Sequence, residues 1–333
     1  MPSRHARSID RRDFLKGAAA GLVLFPHTDL SALGLRMSVR RSTVAVIRTS
    51  NRQDGVARAL ALLNPQGLSG KDVVIKPNFN SADGGPAGTH NETLAQIVRE
   101  IQERDARAIT LGESSGPTNT HEVMRVKGIL DLGTDMGFGI VNFDEMPEAD
   151  WVHRQPSGTH WPEGYHLPRL VTDAEFLVSA CCLKTHAYGG VFTMSMKLAV
   201  GLTPKPIRRG MHQSPDMRRM IAELNQGYAP DLIVMDGVEA FTDGGPSRGT
   251  LKQGNVMVAG TDRVAVDAVG LAILKQLGSN DAIMGTPIFA QEQMARAVEV
   301  GLGVSGPDEI DLVSDDTEGQ AYAQVLRGIL AEG

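Results

Sequence analysis

The sequence predicts an α/β fold, a mostly parallel sheet with helices on both faces and a small irregular excursion around residues 146–167. Three observations predict it. From residue 43 onward, short apolar runs alternate with longer stretches of helical spacing, the pattern of strand–helix units that build a sheet covered on both sides. Many of the 37 glycines stand at the ends of the apolar runs, where tight strand–helix turns belong. A composition of 41% hydrophobic and 22% charged residues is that of an ordinary globular chain, which sets aside disorder and a membrane bundle.

The elements follow in order. The β-branched run 43–47 is a first strand, and 54–63 has helical spacing that stops at Asn64-Pro65. Residues 72–75 are a buried strand ending at Lys76-Pro77-Asn78, and Asn91 caps an amphipathic helix over 93–103. A strand at 108–111 ends at Gly112-Glu113, a helix covers 121–130, and 139–143 is a further strand. Residues 146–167 hold both tryptophans and three histidines without a clear period. The apolar strand 176–183 ends at Lys184 and leads through Gly189-Gly190 into a helix over 191–200. Residues 217–225 are helical, and 232–235 and 256–259 are strands. A helix over 262–276 carries acids in its first turn, a late strand covers 309–313, and 320–330 is a closing helix. Residues 43–333 are read as one domain.

The first 34 residues read as a targeting segment instead. Arg11-Arg12, followed by Phe14-Leu15-Lys16 and a short apolar stretch over 17–25, matches a twin-arginine leader. That stretch is far shorter than the ~20 apolar residues of a spanning helix. The expected location is periplasmic or otherwise extracytoplasmic, with the twin-arginine export machinery as a partner and no membrane span in the mature chain. A formal charge of −6 and no basic stripe argue against nucleic acid as a partner. The only cysteines, Cys181 and Cys182, are adjacent and lack the spacing of a zinc or iron–sulfur site. Walker, Rossmann, zincin and nucleophile-elbow motifs are absent.

Ionisable residues fall at strand ends. Lys76, Glu113, Lys184, Asp236 and Asp262 each follow an apolar run, and parallel strands deliver such groups to one edge, where open α/β sheets bind ligands. The stretch from Lys184 to Lys197 adds His186 beside the Gly189-Gly190 turn. Two lysines and backbone N–H groups at a helix start suit an anion. The bland alternative is that Lys184 merely neutralises Glu113 or Asp236. Gly244-Gly245-Pro246 is a second glycine turn, suited to close backbone approach or only to a surface hairpin.

Lys76-Pro77-Asn78, Gly112-Glu113-Ser114-Ser115-Gly116, Lys184-Thr185-His186, Met196-Lys197 with Gly201, Asp236-Gly237, Gly244-Gly245-Pro246, and Ala259-Gly260-Thr261-Asp262 with Asp267 follow in order. This set closely resembles the domain of unknown function 362 family over roughly residues 43–303. Some members of that family add a ferredoxin-like iron–sulfur segment, whose cysteines this chain lacks. The stretch from His186 to Lys197 is also similar to a segment of nickel-pincer lactate racemases in which a lysine anchors the cofactor. The register is imperfect, and bulkier Thr193-Met194-Ser195 replaces a small Ser-Gly-Gly.

These residues point to an exported enzyme doing proton-transfer or isomerase-type chemistry on a small carboxylate. Lys184, His186 and Glu113 are the catalytic candidates. Lys76, Asn78, Lys197, Asp236, Gly244 and Gly245 are the binding candidates. Any metal or cofactor is left unknown. A non-catalytic binding protein for an anion or metal complex, and a structural accessory of an exported complex, are the alternatives.

Overall fold

The computed structural model describes residues 41–333, so the expected leader lies outside the described residues. The elements are β1 (Ser42–Arg48), α1 (Arg52–Leu63), β2 (Asp72–Pro77), α2 (Asn91–Gln102), β3 (Ala108–Glu113), α3 (Thr120–Val126), α4 (Ile129–Met136) and β4 (Gly139–Asn142). A two-stranded excursion, β5 (Trp151–Arg154) with β6 (Tyr165–Pro168), leads through a short α5 (Arg169–Thr172) to β7 (Phe176–His186) and β8 (Val191–Thr193). Then come α6 (Lys205–Gln213), α7 (Met217–Leu224), β9 (Leu232–Gly244), β10 (Gly249–Gln253) and β11 (Val256–Gly260). The chain closes with α8 (Arg263–Leu277), α9 (Asp281–Met284), α10 (Glu292–Glu299), β12 (Ile310–Val313) and α11 (Thr317–Glu332).

The main sheet runs β12-β1-β11-β9-β7-β2-β3-β4, with β10 paired to β9 and β8 to β7. All neighbouring pairs along the main path are parallel except those of β11, which runs against both β1 and β9. The fold is α/β, as the sequence predicts. Strand β1 shows why both faces are covered. Val44 and Val46 pack into a core with α8, α10 and α11, while Ala45 and Ile47 pack into one with α1 and α2. Apolar side chains on both sides of a strand leave no solvent face, and each fully buried Val or Ile contributes roughly 1.5–3 kcal/mol. The excursion places Trp161, Tyr165 and Leu167 against α7, in a third cluster. No helix among the described residues is long and apolar enough to cross a membrane.

Four expectations are corrected. The cap of α2 is His90, whose Nδ1 accepts from Glu92 N, and Asn91 is already helical. The helix expected over 121–130 breaks at Gly128, whose φ of +71° ends α3 and starts α4. The helix expected over 191–200 is a short strand, β8, followed by a 3-10 turn, Met196–Leu202. The buried Asp267 carboxylate on α8 accepts from Ser195 N at 2.8 Å, Ser195 Oγ at 2.6 Å and Met196 N at 3.1 Å, which fixes the start of that turn from outside. Burial lifts the Asp267 carboxyl to about 6, against the pull of those hydrogen bonds.

The fourth correction concerns Asp262. Because β11 is antiparallel to β9, with Gly260 opposite Ile233 and Met257 opposite Asp236, Asp262 emerges at the sheet edge remote from Lys76 and Lys184. There it is the N-cap of α8, accepting from Val264 N and Ala265 N, and it also holds Val304 N. The first turn of α8 itself carries no acid.

Candidate functional site

A cleft of about 770 Å³ opens outside the C-terminal ends of β2, β3 and β7. Parallel pairing of these strands brings Lys76, Glu113 and Lys184 to the same edge. The β7–β8 hairpin sets Thr193 opposite Lys184, and the following 3-10 turn delivers Lys197. Helix α6 adds Lys205, Arg208, Arg209 and His212, and the β9–β10 turn adds Gly245 and Arg248.

The innermost pair is fully committed. Lys76 Nζ donates to Glu113 Oε1 at 2.6 Å and to Pro77 O at 2.6 Å. Glu113 also accepts from Phe79 N at 2.8 Å and Ser114 N at 2.7 Å, so both carboxylate oxygens are occupied. Gly201 lies close over this pair, where a β-carbon would stand 3.0 Å from Lys76 Nζ. Burial lowers the Lys76 ammonium from its ordinary value, while Glu113 opposes that shift.

Lys184 is wholly buried, and its ammonium donates to Asn78 Oδ1 at 3.2 Å and to Ala87 O. It touches neither Glu113 nor Asp236, so the neutralising role considered for it falls to Lys76 instead. Lys205 likewise donates to Asp144 and to Thr118 O, each at 2.7 Å. Lys197 differs from these three. It is only 7% exposed, lines the cleft, and has no hydrogen-bond or ion-pair partner among the described residues. Burial first, then repulsion from Lys184 and Arg208, lowers its ammonium from 10.5 to about 7.

His186 stands beside Lys197. A β-carbon at Gly190 would lie 2.8 Å from Lys197 Cε and 2.9 Å from His186 Nδ1, so lysine stem and imidazole flank the same bare backbone. Gly190 N donates to His186 Nδ1 at 3.3 Å, which assigns the proton of the neutral ring to Nε2. Burial first, then Lys197, His212 and Lys184, push the imidazole far below its ordinary value. A ring held neutral in this way donates from Nε2 and is a poor base.

Of the residues expected from sequence, Lys76, Asn78, Glu113, Lys184, His186, Lys197 and Gly245 line one cleft. Asp236 and Gly244 do not. Asp236 faces α1 and α2, where it accepts from Arg52 Nε at 2.9 Å and Thr93 Oγ1 at 2.7 Å. Gly244 (φ +78°) shapes the β9–β10 turn, while at Gly245 (φ +75°) a β-carbon would lie 2.0 Å from Thr185 O. Of Thr193, Met194 and Ser195, only Thr193 lines the cleft; Met194 packs against Gly270 and Ser195 is held by Asp267.

Sequence reasoning missed α6, and with it Arg208. That side chain is buried and donates to Thr203 O at 2.6 Å, Ser115 O at 2.8 Å and Ser114 O at 3.1 Å, tying α6 to the end of β3. Pro204 and Pro206 at the start of α6 are the available signal, since proline suits a first helical turn. Seven cations line the cleft (Lys76, Lys184, Lys197, Lys205, Arg208, Arg209 and Arg248) against a single acid, Glu113. Walls of low dielectric around one sign of charge focus the field and raise the local concentration of the opposite ion.

The chain is 26% identical over 286 residues to the thylakoid-associated protein sll1697 of Synechocystis sp., covering 80% of this chain and 85% of that one. Among solved structures it is similar to the lactate racemase apoprotein from Thermoanaerobacterium thermosaccharolyticum. That likeness has 14% identity and a TM-score of 0.44 over 86% of this chain and 87% of the other, too loose to bear on function. The model of the family described as domain of unknown function DUF362 matches residues 73–272, more than half of the chain. This protein belongs to the DUF362 family.

Proposed function

We propose that the cleft binds a small carboxylate bearing one or more negative charges and transfers a proton on it, in an isomerase-type reaction. One observation carries this reading. Lys197 is the one lysine of the cleft without a partner among the described residues, inside a cavity whose cations far outnumber its acid. An ammonium that reaches the cleft from a buried stem, with no protein partner among the described residues, is left open to a ligand, so the site suits an anion. With its ammonium lowered to about 7, Lys197 is poised near neutrality to accept and return a proton. His186, one of the catalytic candidates from sequence, takes part as a hydrogen-bond donor. Its Nε2–H hydrogen-bonds the substrate oxygen, and the base is Lys197. Glu113 holds Lys76 and the 78–81 segment in place through Phe79 N.

Incubation with a panel of 2-hydroxy and 2-oxo acids in D₂O, followed by NMR, tests the reading. Deuterium should enter the carbon next to the carboxylate or carbonyl of at least one of them. Lys197→Arg should keep anion binding and lose roughly 10²–10⁴-fold in exchange rate. Binding of the acids without exchange of any of them would make this a binding protein.

We also infer that the protein is exported from the cytoplasm, a reading supported by Arg11-Arg12 before Phe14-Leu15 alone. Changing both arginines to lysine should leave the protein in the cytoplasmic fraction. Wild-type amounts of the double variant in the periplasm would dismiss the leader.

A further inference from the structure

We propose that Lys197 is a covalent catalytic residue that forms an imine with the carbonyl group of a 2-oxo acid. The proposal rests on the anion-binding reading and goes beyond it, since proton transfer by Lys197 requires no covalent bond. Three features of geometry carry it. The other lysines of the cleft are spent: Lys76 on Glu113 and Pro77 O, Lys184 on Asn78 Oδ1 and Ala87 O, and Lys205 on Asp144 and Thr118 O. Only Lys197 combines an amine without a partner among the described residues with a position on the cavity wall.

The backbone that carries it is also held. The 3-10 turn that carries it is pinned by Asp267 through Ser195 and Met196, and Asn225 Nδ2 donates to Met196 O at 2.9 Å. A pinned backbone and a largely buried stem narrow the arc the amine can sweep, compared with a lysine on an exposed loop. Beside the amine lies the neutral ring of His186, which can hydrogen-bond a carbonyl oxygen through Nε2 without competing for the amine's proton.

The surroundings act on the amine in one direction. Lys184 and His186 face it from β7 and β8's hairpin, Arg208 and His212 from α6, and the Lys76–Glu113 pair from β2 and β3. All but Glu113 are cationic or neutral, and Glu113 is already neutralised by Lys76. A lysine desolvated and crowded by cations is a nucleophile at neutral pH.

The step balances. The neutral amine adds to the carbonyl carbon, forming a C–N bond as the carbonyl π bond opens to oxygen. A proton passes from nitrogen to that oxygen to give the carbinolamine. Loss of water, with one further proton taken up by the departing oxygen, leaves the protonated imine. The carboxylate beside it rests among the remaining cations. The imine acidifies the C–H next to the former carbonyl carbon, and with Lys197 bound to substrate that proton leaves to a base other than Lys197.

The test treats the full protein with glyoxylate, pyruvate or 2-oxoglutarate in the presence of cyanoborohydride. Peptide mass spectrometry then locates the reduced adduct. The expected result is modification of Lys197 at least tenfold above any other lysine, rising as the pH passes through about 7. Lys197→Arg should lose it while still binding oxalate, and oxalate should protect the wild type. If none of the three acids gives a selective adduct at Lys197 although oxalate binds, the imine is wrong and the anion-binding reading stands. If oxalate does not bind, the fault lies with that earlier reading. Should Lys197→Arg fold poorly, oxalate protection of wild-type Lys197 decides alone, and equal labelling with and without it overturns the proposal.

Discussion

Replacing Lys76 by methionine is expected to destabilise the fold by about 3–5 kcal/mol, the cost of breaking a buried ion pair on one side. The cause is Glu113, which is 1% exposed and would lose the one cation in ion-pair contact with it among the described residues. Two backbone N–H groups would still reach the carboxylate, from Phe79 and Ser114, but they do not neutralise it. Relief should come from the second change, so Lys76→Met combined with Glu113→Gln should recover a substantial part of the loss. Denaturant unfolding of the two single variants and the double variant measures this. A Lys76→Met protein as stable as wild type would mean that the pair does not hold the floor of the cleft.

The same substitution at Lys197 should act in the opposite direction. Burial, aided by Lys184 and Arg208, lowers its ammonium from 10.5 to about 7. Below pH 7 the folded chain therefore carries a charge that is partly desolvated and without a protein partner among the described residues, and the cost is then at its greatest. As the pH rises through 7 the folded state releases the proton, whereas the unfolded chain keeps it up to about 10.5. Stability therefore rises across that window. Methionine keeps most of the stem and removes the charge. Lys197→Met should accordingly be more stable than wild type at pH 7 by about 2–4 kcal/mol, with a flatter pH dependence between 7 and 10. Anion affinity should fall in the same variant by about 2–5 kcal/mol, roughly thirty- to several-thousand-fold. A gain in stability joined to a loss of binding marks a residue kept for the ligand. A structural lysine such as Lys76 cannot show it.

The contrast between these two lysines also shows what a sequence can reveal. Both follow apolar runs and both lie in family-like motifs, so both read as anion ligands. Which of them is spent on Glu113 depends on the register of β2 against β3, a long-range pairing with no local signature. The strands themselves were legible because buried parallel strands are continuous apolar runs bounded by glycine and charge. Strand direction was not. Residues 256–259 look like the other strands, yet β11 runs antiparallel, and that reversal sends Asp262 to the far edge. Asp236 does sit near the ends of the parallel strands, but its side chain faces α1, where Arg52 claims it. The turn at Met196–Leu202 imitates a helix in sequence, and a carboxylate 71 residues away from Met196 decides its start. Arg208 was out of reach because its partners are backbone carbonyls, which every sequence supplies.

Calorimetric titration of wild type and Lys197→Met with oxalate at pH 6.5 tests the central claim, that an unpartnered Lys197 makes this cleft an anion site. Oxalate presents the carboxylate of a 2-oxo acid without a carbonyl that can react with the amine. Wild type should bind one equivalent, with affinity falling as the pH is raised through about 7 and Lys197 loses its charge. Lys197→Met should bind at least thirty-fold more weakly, the lower end of the range for a lost desolvated charge contact at about 1.4 kcal/mol per decade. Equal affinity in the two proteins, or no binding to wild type, would contradict the account.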